Sequence, residues 1–146
     1  MIHSAGIIPF RVNDGVVEFF VGHPGGCKTD YWAFMKGQVD DDDVSFKDTA
    51  VREFCEETGL SFDEETIDHL IPLGSVMQNP GKCVHAFGLY VSDIDPDVCF
   101  SNLVDDGSGS PEIDDYCWMS LDTIRDKTHK THITFYEQLD SMARWT

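Results

Sequence analysis

Apolar residues recur along the chain in short β-rich runs that are separated by turn residues. The runs at 4–12 and 16–21 flank an Asn13-Asp14-Gly15 turn, which predicts a β-hairpin. Four further strands are predicted on the same grounds, at residues 31–35, 70–77, 83–91 and 116–119. Residues 104–111, rich in Gly and Ser, predict a flexible loop before the last strand.

Two stretches show the spacing of an amphipathic helix instead. The first extends from about residue 45 to 58, and its apolar side is formed by Phe46, Ala50, Val51 and Phe54. Gly59 suits the position after the helix end. The second covers residues 133–145, with Ile133, Tyr136, Leu139, Met142 and Ala143 on one side. Strands mixed with a central and a terminal helix favour an α/β sandwich over an all-β barrel.

Length and composition limit the class of protein further. A chain of 146 residues with an apolar fraction of 41% predicts a single domain over residues 1–146. The five cysteines show neither a C-x-x-C pair nor zinc-ligand spacing, which indicates a reduced compartment. Since there is no run of 18 apolar residues and no signal-peptide pattern, we expect a cytoplasmic protein without a membrane partner.

The chain is strongly acidic, with 27 Asp and Glu against 10 Lys and Arg and a formal net charge of −17. Such a field repels phosphate backbones, so we expect no long nucleic acid to bind through a basic surface. A phosphorylated substrate of small size would have to be bound with the help of cations. The composition is compatible with a monomer or a homodimer.

Three acidic residues of the first predicted helix form the main candidate for chemistry. Glu53, Glu56 and Glu57 span an arc of roughly 100° beside the apolar side. Carboxylates this close repel one another unless a cation neutralises them, and hard oxygen donors suit Mg²⁺ or Mn²⁺. The alternative is a solvated acidic face, but acids near a helix C-terminus oppose the macrodipole. Arg52 moderates the charge, four residues before Glu56.

Residues 52–60, Arg-Glu-Phe-Cys-Glu-Glu-Thr-Gly-Leu, match the second half of the Nudix box, G-x5-E-x7-R-E-U-x-E-E-x-G-U. Gly37 fits the opening glycine. Further matching features are Ser4-Ala5-Gly6, His23-Pro24-Gly25-Gly26, Trp32 before Lys36-Gly37, and Pro111-Glu112-Ile113 before Trp118. The chain therefore resembles the Nudix family, in particular small bacterial and phage members akin to asymmetrical diadenosine tetraphosphate hydrolases. The resemblance implies an α/β/α sandwich with a mixed central sheet.

The box departs from the family pattern at one point. Gly37 and Arg52 are fifteen positions apart where the pattern has fourteen, and Val44 occupies the Glu position counted back from Arg52. Counting forward from Gly37 places Asp43 there instead. In the family this acid braces the arginine, so we expect Asp43 to contact Arg52.

The resemblance also implies an activity and roles for individual residues. Nudix enzymes hydrolyse a diphosphate linkage with divalent metal, here bound by Glu53, Glu56 and Glu57, the Lys36 carbonyl and Glu112. Glu57 and Glu56 are the first candidates for the general base, with Glu112 as the later-loop candidate, and Arg52 completes the catalytic set. Candidates for nucleotide binding are Lys36, Lys82, His85, Arg11 and Trp32.

Some assignments stay open at this stage. Trp32, Tyr31 and Phe34 either stack a base or belong to the core. His129 and His132, near the start of the last helix, are interpreted as surface residues. Diadenosine tetraphosphate is the best single substrate, although the tyrosine typical of such hydrolases is missing after the box. The alternatives are a (d)NTP or RNA 5′-end pyrophosphohydrolase, and a nucleotide-binding sensor without catalysis.

Overall fold

The protein, described for residues 1–144 by a computed structural model, is built on a six-stranded sheet. The strands are β1 (Ile2–Asn13), β2 (Val16–Pro24), β3 (Met35–Gln38), β4 (Ile71–Asn79), β5 (Lys82–Tyr90) and β6 (Ile113–Ser120). The helices are α1 (Phe46–Thr58), α2 (Glu64–Asp68), α3 (Leu121–Ile124) and α4 (Ile133–Arg144). Single 3₁₀ turns occur at Pro96–Val98 and Lys130–His132.

The sheet is mixed, as predicted. Its order is β4-β5-β1-β2-β6, with β1 and β5 parallel and the other pairs antiparallel. One edge of β1 pairs with β5, while the other edge is shared by two strands. Residues 4–7 of β1 pair with β3, and residues 10–13 pair with β2. The sheet therefore divides between β2 and β3, and an isolated bridge between Gly22 and Ala33 is the connection there.

Helices cover both faces of the sheet, which confirms the α/β/α sandwich. Ala5 and Ile7 of β1 belong to the core on the α1 side, together with Phe54. Ile8 lies on the opposite face and packs in the core of α4 with Leu139. Because β1 is buried on both faces, its apolar run is continuous rather than alternating.

Both ends of α1 are set by their capping residues. The Ser45 hydroxyl accepts a hydrogen bond from the Asp48 amide at 3.1 Å. At the other end Gly59 adopts a left-handed conformation, with φ of 75°, and its amide donates to the Cys55 carbonyl. The predicted helix over residues 45–58 is thus confirmed, with Ser45 as its cap.

Three local predictions are corrected. The strand predicted at 31–35 lies further along, because Lys36 and Gly37 pair with β1 and leave Ala33 only its bridge to Gly22. Helix α2 was not predicted, since it has five residues and none of them is buried. In α4 the core position assigned to Met142 is wrong: that side chain is 42% exposed, whereas Phe135 is buried. Trp145, in the predicted helix, lies outside the described residues.

Within residues 1–144, every helix is too short or too polar to cross a membrane. All five cysteines are free thiols.

Candidate active site

Three carboxylates from two parts of the chain meet beside α1. Glu53 and Glu57 belong to α1, and Glu112 directly precedes β6; one oxygen of each lies within 4.8 Å of the others. Glu53 and Glu57 follow Ala50 at spacings of three and seven, which are positions that normally pack into the core. Accordingly they are only 8% and 5% exposed. The spacing of the acids thus turns two of them inward.

Burial and mutual repulsion perturb these acids. Burial, followed by the nearby charges of Glu53 and Glu112, raises the pKa of Glu57 to about 9. Burial also raises the pKa of Glu53. One Glu57 oxygen, Oε2, is buried and has no hydrogen-bond partner among the described residues. A divalent cation among these oxygens would relieve both costs, so the donor set fits Mg²⁺ or Mn²⁺.

The backbone of β3 approaches this cluster at Gly37. A Cβ on Gly37 would lie 2.1 to 2.3 Å from three carboxylate atoms of Glu53. Only glycine allows this approach, and it brings the peptide that joins Lys36 to Gly37 beside the carboxylates.

Arg52 links the cluster to the acidic loop before α1. It donates from Nη1 to Glu53 Oε1 at 2.9 Å and from Nη2 to the Gln38 carbonyl at 3.1 Å. Arg52 also pairs with Asp43, which accepts a hydrogen bond from the Thr49 hydroxyl at 2.7 Å. The Arg52 guanidinium holds the pKa of Asp43 well below its usual range. The expected contact between Asp43 and Arg52 is confirmed, despite the inserted residue.

The structure does not bring Glu56 into the group of three carboxylates. Its side chain is exposed to solvent and lies 3.5 Å from Arg52 Nη1. Glu112 takes the third position instead.

A cleft of about 330 Å³ opens beside the carboxylates, at the division of the sheet. Its walls include Tyr31, Phe34, Lys36, Val104, Glu57 and Glu112. Burial and the neighbouring Lys82 charge lower the pKa of Lys36 to about 8. The cleft therefore combines the aromatic side chain of Tyr31, one half-buried amine and the acidic cluster, which are groups suited to a base and a polyphosphate.

The other residues predicted to bind substrate are not among those that line the described cleft. Trp32 is 9% exposed, packs in the core and donates from its indole to Asp30 at 2.7 Å. Lys82 lies close enough to Lys36 to affect its charge but is not among the residues that line the described cleft.

Arg11 and His85 have partners outside the cleft. Arg11 pairs with Glu18 and lies 4.1 Å above the Trp118 ring, roughly 17 Å along β1 from the Gly6–Lys36 pair. The structure thus separates Arg11 from the carboxylates. The His85 ring stacks on Phe46 and contacts His3.

His132 contradicts its interpretation as a surface residue. It is completely buried, and its Nε2 lies 2.8 Å from Gln78 Oε1, where it acts as the donor. Burial and the Lys36 charge lower its pKa to about 3, so the ring is neutral at physiological pH.

Tyr116 helps to position α1 at the site, a role that the sequence pattern did not reveal. Its hydroxyl donates to the Glu57 carbonyl at 2.5 Å and ties the last turn of α1 to β6. The two residues are 59 positions apart, so no local spacing could signal the contact.

Comparison with known proteins places this geometry in a family. The family model of the NUDIX domain matches residues 4–139. No curated protein sequence matches the chain at a significant level. Solved structures of low sequence identity share the fold. The NUDIX hydrolase from Alicyclobacillus acidocaldarius has a TM-score of 0.70 at 14% identity, over 100% of this chain and 96% of that one.

Two further structures are informative. The NUDIX domain of Shewanella oneidensis NrtR, solved with ADP ribose, has a TM-score of 0.69 at 14% identity, over 99% of this chain and 88% of that one. An Ap4A hydrolase of C. elegans, solved as a binary complex, has a TM-score of 0.57 at 22% identity, over 99% and 93%. With the domain match extending over most of its length, the chain belongs to the Nudix family of pyrophosphohydrolases, which act on nucleoside diphosphate derivatives.

Proposed function

We propose that this chain hydrolyses the polyphosphate bridge of a dinucleoside polyphosphate, such as diadenosine tetraphosphate, with Mg²⁺ or Mn²⁺. The observation that carries the proposal is the cluster of Glu53, Glu57 and Glu112. Its two α1 acids are buried, and one Glu57 oxygen has no partner among the described residues. Such a cluster needs a cation, and a cation is what a chain of net charge −17 requires to hold a polyphosphate.

In this proposal Glu53, Glu57 and Glu112 hold the divalent cation, and the Lys36 carbonyl contributes from β3. Glu56, which is exposed and lies 3.5 Å from Arg52 Nη1, would have to turn from that contact to join them. When bound, the cation supplies neutralisation of the phosphate oxygens and lowers the pKa of the attacking water. Arg52 holds Glu53 in its orientation through the 2.9 Å contact.

A proton must also leave the attacking water. Glu57 and Glu56 on α1 are the first candidates for this general base, and Glu112 on the cleft wall is the alternative. All three belong to, or directly adjoin, the acidic cluster. The choice among them does not alter the reaction class.

The cleft supports a substrate with a nucleobase at one end. Tyr31 lines it and offers aromatic surface, whereas Phe34 is only 2% exposed; the Lys36 amine lies at the same wall. The amine suits a phosphate oxygen. Lys82, whose charge affects Lys36, adds positive potential on this side. The likeness to an Ap4A hydrolase agrees with two nucleosides joined by phosphates, and the net charge disfavours a long nucleic acid.

A second candidate function is nucleotide binding as a sensor without hydrolysis. Binding of a nucleotide ligand by this fold is seen in the similar NrtR domain, which was solved with ADP ribose. The complete set of glutamates in α1 favours the hydrolase, because a sensor has no need to keep three acids beside one another. Hydrolysis of (d)NTPs or RNA 5′ ends is the further enzymatic alternative.

One assay separates these functions. The purified chain is incubated with diadenosine tetraphosphate, ADP-ribose and individual (d)NTPs, with Mg²⁺ or with EDTA, and the products are resolved by chromatography. We expect cleavage that depends on Mg²⁺ and is fastest for diadenosine tetraphosphate. Faster cleavage of another compound would overturn the substrate assignment. Binding of ADP-ribose without cleavage of any compound would establish the sensor instead.

A further inference from the structure

A second cluster of metal-binding side chains lies on the α1 face of the sheet, away from the carboxylates. It consists of His3 on β1 with Cys83 and His85 on β5. His3 Nδ1 lies 3.0 Å from His85 Nε2, and Cys83 Sγ lies 3.6 Å from the same nitrogen. One donor atom of each residue lies within 4.8 Å of the other two.

The parallel pairing of β1 and β5 creates this convergence. His3 is directly opposite Cys83, so both side chains leave the same face of the sheet. His85 follows two residues later on that face. No sequence spacing shows the cluster, because 82 positions separate His3 from His85.

The rings are held in place by α1. Phe46, the first residue of α1, stacks on His85 with ring centroids 3.6 Å apart and planes inclined by 14°. The His3 ring lies 5.4 Å from the same phenyl ring. All three donors are half-buried, so they are ordered by packing yet accessible from solvent.

The distances match the requirements of a tetrahedral metal ion. Zn²⁺ binds imidazole nitrogen at about 2.0 to 2.1 Å and thiolate sulfur at about 2.3 Å. Tetrahedral angles then separate two nitrogens by about 3.3 Å and a nitrogen from a sulfur by about 3.6 Å. The observed 3.0 Å and 3.6 Å need only a small opening of the His3–His85 contact.

We propose that His3, Cys83 and His85 form a binding site for a transition-metal ion of the Zn²⁺ type, with a fourth position open to water. On binding, the Cys83 thiol loses its proton to solvent, and the metal replaces the hydrogen bond between the histidines. Met77 of β4 pairs with Cys83, which places a thioether on the same face of the sheet. The site differs in chemistry from the carboxylates, since nitrogen and sulfur donors select Zn²⁺ over Mg²⁺.

The test uses the full chain with Mg²⁺ in excess, so that hard oxygen sites are filled. Co²⁺, a spectroscopic substitute for Zn²⁺, is then added. We expect one Co²⁺ per chain, with a thiolate-to-cobalt charge-transfer band that one equivalent of Zn²⁺ removes. A wild-type chain that gives no such band would overturn the proposal.

Matched cysteine variants locate the ion. Cys83→Ser should remove the charge-transfer band and weaken Zn²⁺ binding at least 10-fold, while Cys117→Ser on β6 should leave both unchanged. His3→Gln tests the site without touching sulfur and should also weaken binding at least 10-fold. A band that persists in Cys83→Ser, or that is lost in Cys117→Ser, would assign the ion to another place. These readouts do not depend on hydrolytic activity.

Discussion

Asp43 and Arg52 form a two-pronged ion pair, in which the carboxylate accepts hydrogen bonds from Nε at 3.1 Å and from Nη2 at 2.8 Å. Paired bonds of this kind fix the plane of the guanidinium. Arg52 therefore has a set orientation when it donates to Glu53. The acidic loop before α1 thus positions Glu53 through Arg52.

Replacement of Asp43 by Asn should weaken this arrangement. We expect the free energy of unfolding to fall by about 2 kcal/mol, as for loss of hydrogen bonds to a charged partner. The affinity for Mg²⁺ should also fall, because Arg52 no longer holds Glu53. Urea unfolding and Mg²⁺ titration measure the two effects. Asp42→Asn, an exposed neighbour, is the control, and equal losses in both variants would refute the bracing role.

Glu57→Gln should separate activity from stability. Loss of a buried carboxylate that helps to hold the cation should lower kcat on the order of 10²-fold or more. In EDTA at neutral pH, however, the variant should be at least as stable as the wild type. Burial and the charges of Glu53 and Glu112 raise the pKa of Glu57 to about 9, so folding of the wild type must protonate this carboxyl, and the substitution removes that cost. Steady-state kinetics and thermal unfolding provide the readouts.

The control for this variant is Glu65→Gln on the exposed surface of α2. It should change neither kcat nor the thermal stability. Turnover that is unchanged in Glu57→Gln would mean that the cation is held without Glu57.

Gly37→Ala should displace the Glu53 carboxylate. The added Cβ would stand 2.1 to 2.3 Å from its atoms, so the carboxylate must move. We expect Mg²⁺ binding to weaken at least 10-fold, as measured by isothermal titration calorimetry. Gly15→Ala, in the turn between β1 and β2, adds a Cβ in open space at a left-handed φ of 77°, so it should lower stability but leave Mg²⁺ binding unchanged. Equal affinities of Gly37→Ala and wild type would contradict the steric argument.

His132 should make stability depend on pH. Its folded pKa of about 3 lies below the ordinary value of 6.5, so the unfolded chain binds a proton that the folded chain excludes. The contribution of His132 to the free energy of unfolding is fully present above pH 6.5 and is lost as the pH falls toward 3. Between pH 7 and 5 the loss should be about 2 kcal/mol.

Urea unfolding at the two pH values measures this loss in the wild type and in His132→Asn. The variant should lose about 2 kcal/mol less than the wild type over the same interval. His69→Gln, which replaces an exposed histidine, should behave like the wild type. Other groups, such as Glu57 with its raised pKa, contribute equally to both proteins, so the difference between them reports on His132. An equal pH dependence in the wild type and in His132→Asn would overturn the prediction.

Local patterns predicted the elements whose determinants are local. Helix α1 followed from its apolar spacing and from Gly59, and the Asp43–Arg52 contact followed from the spacing of the Nudix box. Features that depend on long-range pairing were missed or misplaced. The shift of β3 depends on its register with β1, and the burial of His132 depends on a partner 54 positions away, Gln78.

The cleft region shows the same limit. The aromatic residues at 31–34 could either stack a base or belong to the core. In the structure Tyr31 lines the cleft, whereas Trp32 packs in the core. Which side chain faces the cleft depends on the Gly22–Ala33 bridge, which no pattern within this segment specifies.

Because β2 and β3 pair in succession with one edge of β1, the opening between them is lined partly by Glu57 of α1 and partly by segments outside α1. Tyr31 and Val104 belong to such segments, while Glu53 and Glu57 sit on a helix anchored by its own caps and core. Substitutions in these wall segments would therefore change the shape of the cleft while leaving the helix that carries Glu53 and Glu57 unaltered.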